Sequence, residues 1–88
     1  MNEFYIIKQK TIYQCGDSRP IVETEQYLNI VANGINGIKT AFEEMNKTRK
    51  YKIHMTDSFH AASDPWYGSG DFEMRYNEFT AERITIYS

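Results

Sequence analysis

The sequence predicts an α+β domain: a four-stranded, mainly antiparallel sheet with one long helix packed across one face, in the order β-α-β-β-β. Three observations predict it. The run Thr24–Lys47 places Tyr27, Leu28, Val31, Ile35, Ile38, Phe42 and Met45 in one apolar stripe at helical spacing. Shorter segments on either side alternate apolar with polar residues, the period of a strand with one buried face. Three such segments follow the helix in succession with short connections, which favours an antiparallel meander.

The first strand is predicted over Glu3–Tyr13, where aromatic and β-branched residues are dense and Phe4 and Ile6 alternate with Tyr5 and Ile7. Gln14–Pro20 (QCGDSRP) reads as a loop, since Gly, Asp, Ser and Pro cluster there. Ile21 and Val22 extend a short strand or staple onto the helix. Thr24 is then the helix N-cap, with Glu25 at the positive end of the dipole; Lys47, Arg49 and Lys50 lie at or past the negative end. Gly34 and Gly37 interrupt this helix, each at a cost of about 1 kcal/mol against alanine. Two readings follow: a continuous helix, with small residues letting the backbone approach the sheet, or a first segment ending near Ala32 and a second restarting at Ile35. The continuous helix is the one adopted.

Arg49–Met55 is the second strand, with Tyr51, Ile53 and Met55 on one face and Lys50, Lys52 and His54 on the other. Thr56–Ala62 is ambiguous. Ser63–Asp71 (SDPWYGSGD) carries every loop signal. Phe72–Tyr76 is a third strand, Asn77–Ala81 a turn, and Arg83–Tyr87 the last strand. The sheet face away from the helix would expose Lys50, Lys52, His54, Glu73, Arg75, Thr85 and Tyr87, making it a binding surface.

Composition narrows the function classes. The chain has 88 residues, enough for one domain with a modest core. Its net charge of -2 does not announce a nucleic-acid binder. The charge is unevenly spread, however: Lys39–Lys52 is mainly basic and Ile53–Ser88 mainly acidic. Cys15 is the only cysteine, which fits a reducing cytoplasm. The amino terminus lacks the apolar core of a signal peptide, and no segment approaches membrane-spanning length.

The clusters that could carry chemistry are few. His54, Asp57 and His60 are metal-ligand types, but on a strand Asp57 would point away from the two histidines; scattered surface histidines are the plainer reading, and no metal or cofactor is expected. Cys15 has no histidine near it in sequence. The Gly-Ser-Gly piece lacks the Walker lysine. With no nucleophile–base pair and no paired carboxylates, a non-enzymatic protein is expected. Trp66 and Tyr67 stand side by side in the 63–71 loop. Such a pair either folds back to cap the core or protrudes as a partner anchor.

In size, in its asparagine-, isoleucine-, lysine- and tyrosine-rich make-up and in its outline of one helix on a sheet, the chain resembles the small inhibitors encoded by phages and mobile elements, anti-CRISPR proteins among them. The resemblance covers the whole chain and implies a protein that sterically blocks a host nucleic-acid-handling complex, protein or ribonucleoprotein. The partner surface expected from the residues is Trp66 and Tyr67 with Asp57, Asp64, Asp71, Glu73 and Glu78, whose charge suits a basic groove. The alternative is a nucleic-acid-binding accessory protein that uses Lys47, Arg49, Lys50 and Lys52 around Tyr51. Exposed strand edges leave a homodimer open.

Overall fold

The structure is a computed structural model, and it describes residues 3–68 and 72–85. It is an α+β fold with one helix and six strands among the described residues: β1 (Phe4–Cys15), β2 (Ile21–Asn33), α1 (Gly34–Asn46), β3 (Ile53–Met55), β4 (His60–Ser63), β5 (Trp66–Tyr67) and β6 (Glu73–Ile84). Every pairing is antiparallel, in the order β2-β1-β6-β4-β3, with β5 joining β6 beyond β4.

The predicted long helix is corrected to thirteen residues, because its first half is strand β2. Thr24 and Glu25 therefore lie within a strand and cap nothing. The segment carries two periods at once. Its helical stripe coexists with an alternation of Leu28, Ile30 and Ala32, and with β-branched residues at Ile21, Val22, Thr24, Ile30 and Val31. Pairing with β1 runs along most of its length, satisfies the backbone groups on that side and selects the strand. The break falls where one sequence reading placed it. Gly34 has a φ of 72°, which a side chain rarely adopts, and this residue turns the chain back over the sheet. Its amide donates to the Glu3 carbonyl at 2.7 Å, fixing the start of the helix to the residue that precedes β1.

The second correction concerns Asn77–Ala81, which is the middle of one twelve-residue strand and not a turn. Asn77 is buried and its polar groups are occupied. Its amide N–H donates to Ser63 Oγ at 2.8 Å, and Thr11 Oγ1 donates to its side-chain oxygen at 3.0 Å. A buried, satisfied asparagine is a cross-strand tie, and Phe79 and Ala81 continue its alternation inward. The predicted third and fourth strands are thus one, and Ile86 and Tyr87 lie outside the described residues.

Two smaller corrections follow. The strand predicted from Arg49 begins at Ile53, because Asn46 clamps the preceding connection: its side chain donates to the Ile53 carbonyl and accepts from the Ile53 amide, at 2.9 and 2.7 Å. The ambiguous stretch is a hairpin turn entering β4, held by Asp57 accepting from the Phe59 amide. Within the predicted 63–71 loop, Trp66–Tyr67 forms the short strand β5.

The core is built from Tyr5 and Ile7 of β1, Ala32 of β2, Ile38 and Phe42 of α1, Ile53, Ala61, Phe79 and Ala81. Phe42 and Phe79 meet edge to face at 5.7 Å. Ile38, Phe42 and Met45 keep the role their spacing predicts, whereas Ile35 is exposed. The sheet outruns this core. The molecule measures 51 × 25 × 20 Å, and the ends of β1, β2 and β6 near Cys15, Ile21 and Glu73 project as an arm beyond the helix.

Candidate functional site: the open face of the sheet

Alternation along β1 and β6 assigns the two faces. Tyr5, Ile7, Phe79 and Ala81 face α1, so Lys8 and Lys10 of β1, with Glu78, Thr80 and Glu82 of β6, face the other way. Cross-strand register adds Glu25 and Tyr27 of β2, His60 and Ala62 of β4, and His54 of β3. Among the described residues no element covers this open face.

Its β2–β1–β6 half is an internally neutralised cluster. Lys8 pairs with Glu25 and lies 3.5 Å from Glu82, while Tyr27 donates its hydroxyl to Glu82 at 2.7 Å. The lysine ammonium also sits over the Tyr27 ring, 5.4 Å from its centre. Glu25 holds the Lys8 pKa up, Lys8 holds the Glu25 carboxyl down, and the Tyr27 hydroxyl does the same to Glu82.

The β6–β4–β3 half is acidic and bears the histidines. His54 Nε2 is 2.9 Å from Asp64 Oδ1, and His60 Nδ1 is 2.9 Å from both Asp57 carboxylate oxygens. The Phe59 amide, and after it His60, hold the Asp57 carboxyl below its ordinary range. Glu78 is exposed beside them, close to the Tyr76 hydroxyl. Thr56, Asp57, His60, Ala62 and Glu78 line a shallow groove of about 280 Å³. The two histidines do share a face, as strand spacing suggests, but on neighbouring strands. Each takes its own aspartate, and among the described residues no three metal-ligand side chains converge.

The predicted partner residues are therefore partly gathered and partly dispersed. Asp57, Asp64 and Glu78 come together on or beside the open face. Tyr67, opposite Met74, belongs to the same face and is 60% exposed. Trp66 points to the helix side and stacks on Tyr51 at 5.1 Å, so one ring of the aromatic pair packs against the chain and the other projects. Adjacent strand residues face opposite ways, which forces that division. Glu73 and Arg75 are corrected from the open face to the helix side. The continuous β6 carries the inward alternation of Phe79 and Ala81 out to them. There Glu73 accepts from the Tyr13 hydroxyl, and Arg75 chelates Glu23 and lies 4.6 Å from the Tyr13 ring centre. The neighbouring Cys15 side chain, with burial and Glu73 adding to it, pushes the Tyr13 phenol up to about 12. Asp71 lies outside the described residues.

The basic segment does not form a free stripe. Lys47 pairs with Glu44 at 2.8 Å, and Lys52 donates to the Asn46 carbonyl at 2.8 Å. Arg49 lies over Phe79, 5.3 Å from the ring centre, donates to the Tyr51 carbonyl and has its pKa lowered by burial. Lys50 sits over Tyr51. These contacts spend the segment's charge on closing the α1–β3 connection. Lys50 and Lys52 consequently sit in that connection, off the open face where the strand pattern had put them.

Sequence reasoning missed Lys8, Glu25, Tyr27 and Glu82. The signal that could have found them is the alternation of Glu23, Glu25 and Tyr27, which a helical reading of the same residues hides. No helix among the described residues is long and apolar enough to cross a membrane. Comparison of the chain with protein-family models, with curated proteins and with solved structures gives no match.

Proposed function

We propose that this chain is a non-enzymatic protein-binding module that docks the acidic half of its open sheet face onto a basic, nucleic-acid-handling surface of a larger protein or ribonucleoprotein complex, and so blocks it. One observation carries the reading: Asp57 and Glu78 line one groove on a sheet face that no other described element covers, Asp64 meets His54 of the same face, and the exposed Tyr67 lies farther along it opposite Met74. Carboxylates at such a rim steer encounter with a positive surface, and an exposed tyrosine supplies contact area. The resemblance to small phage-type inhibitors points the same way.

The test is affinity capture of the tagged chain from its host, with and without nuclease, alongside the Asp64→Lys, Glu78→Lys double variant. The reading expects a stoichiometric protein complex that survives nuclease and is lost in the variant, while circular dichroism of the variant is unchanged. Capture that disappears on nuclease treatment would overturn it in favour of direct nucleic-acid binding through Lys47–Lys52. Capture that the charge reversal leaves intact would remove the open face from the interface.

A further inference from the structure

A second surface lies on the other side of β2. This thirteen-residue strand is the border of the sheet, and among the described residues nothing pairs with its outer edge. An unpaired edge offers a row of N–H and C=O groups to an incoming strand. Lysine and proline commonly guard such edges; β2 contains neither. Its ladder with β1 is irregular on both sides of Tyr27, but Val31, Ala32 and Asn33 pair in register with Ile6, Tyr5 and Phe4, leaving a straight edge there.

Beside that edge runs a groove of about 450 Å³ between β2 and α1. Ile30, Ala32, Gly37, Ala41 and Met45 make it apolar, and Glu44 is the one charged side chain in its lining. The helix rides close to the strand here: a Cβ on Gly37 would lie 3.4 Å from the Ala32 backbone. Short side chains at Gly37 and Ala41 leave the space open. An edge strand with an apolar trough between it and a helix is suited to receive an added strand. Backbone pairing gives affinity, and alternate side chains drop into the trough.

We propose that the Val31–Asn33 edge and this groove capture an extended peptide segment of a partner protein, one carrying a large aliphatic side chain for the groove and a lysine or arginine for Glu44. Charge selects the occupant. A second copy pairing through its own β2 would bring a strand with no lysine or arginine of its own to meet Glu44. The present Glu44–Lys47 pair is about two-thirds exposed on both sides, so it exchanges readily for another cation. This inference is independent of the open face, which lies on the opposite side of the sheet.

The test titrates the full-length ¹⁵N-labelled chain with a pool of synthetic decapeptides that alternate threonine with valine, hold Leu, Ile or Met at the centre and flank it with lysine. Chemical-shift changes confined to Val31–Asn33, Gly37, Thr40 and Ala41 are expected. Aspartate at the peptide centre should weaken binding at least about tenfold, and backbone N-methylation should abolish it at every second peptide position only. Thr40→Trp, on the exposed rim, should block the groove. If that variant does not fold, Glu44→Lys replaces it, with binding lost to the lysine peptides and regained by glutamate ones. No shift at millimolar peptide would overturn the proposal. Shifts on the open face instead, or a concentration-dependent dimer that protects β2 amides from exchange, would overturn it equally while leaving the open-face reading standing.

Discussion

Trp66 and Tyr51 stack with ring centres 5.1 Å apart and planes 29° from parallel, joining β5 to the connection that follows the helix. The tryptophan is half-buried, and its neighbour Tyr67 is exposed. Trp66→Ala should therefore cost about 2 kcal/mol of stability, while Tyr67→Ala stays within about 0.5 kcal/mol. Urea titrations followed by circular dichroism measure both. Equal and small effects would mean the stack contributes little. Because Trp66 is the only tryptophan, Tyr51→Ala should also shift its emission to the red.

Phe79 is 1% exposed and meets Phe42 edge to face. Truncating it to alanine should cost about 3–5 kcal/mol, a large part of what a domain this small has. The expected result is a chain with little cooperative unfolding transition at ordinary temperature. A Phe79→Leu variant should retain one.

Gly34→Ala puts a Cβ on a residue whose φ is 72°, with open space around the added atom. The cost is then conformational alone and should be about 1 kcal/mol, read as a lower urea midpoint. Gly34→Asn should cost less, since asparagine tolerates the left-handed region better. Equal losses would locate the effect elsewhere than in the backbone angle.

Acid should destabilise the fold through Glu23, Glu25, Glu82 and Asp57. Arg75, Lys8, the Tyr27 hydroxyl and the Phe59 amide, respectively, hold their folded pKa values below the ordinary 4.5 for glutamate and 3.8 for aspartate. A depressed folded pKa contributes stability above the unfolded value and loses it as pH falls through the folded one. Melting temperature should hold steady down to about pH 5 and decline below the ordinary carboxyl range. In Lys8→Met the decline attributable to Glu25 should shrink.

The stripe Ile38, Phe42 and Met45, the first strand and the outline of one helix on an antiparallel sheet are legible in the sequence. Each rests on a period that one element alone satisfies. The region Ile21–Ala32 satisfies two periods, and what decides between them is pairing with β1, a contact that no period within the segment reports. Asn77 carries a turn residue's identity, and only the approach of Thr11 and Ser63 makes it a strand residue. Of the candidate site, Asp57, Asp64, Glu78 and Tyr67 could be named from residue type. Their meeting on one face, and the exchange of Glu73 to the other, depend on β6 being unbroken.

The pairing of β1 with β6 has a kinetic consequence. The two strands run side by side for their whole length, from Phe4 opposite Ile84 to Cys15 opposite Glu73, and their cross-strand tie between Thr11 and Asn77 spans 66 residues. The β1–β2 hairpin can close early, since its loop is short. The central seam must wait for a large loop to close before any of its hydrogen bonds forms. The chain should therefore refold on a scale of milliseconds to seconds, slower than a helical protein of this size. Until the seam closes, β1 has one edge paired and the other bare, and this is the interval in which the chain is most open to pairing with the wrong strand.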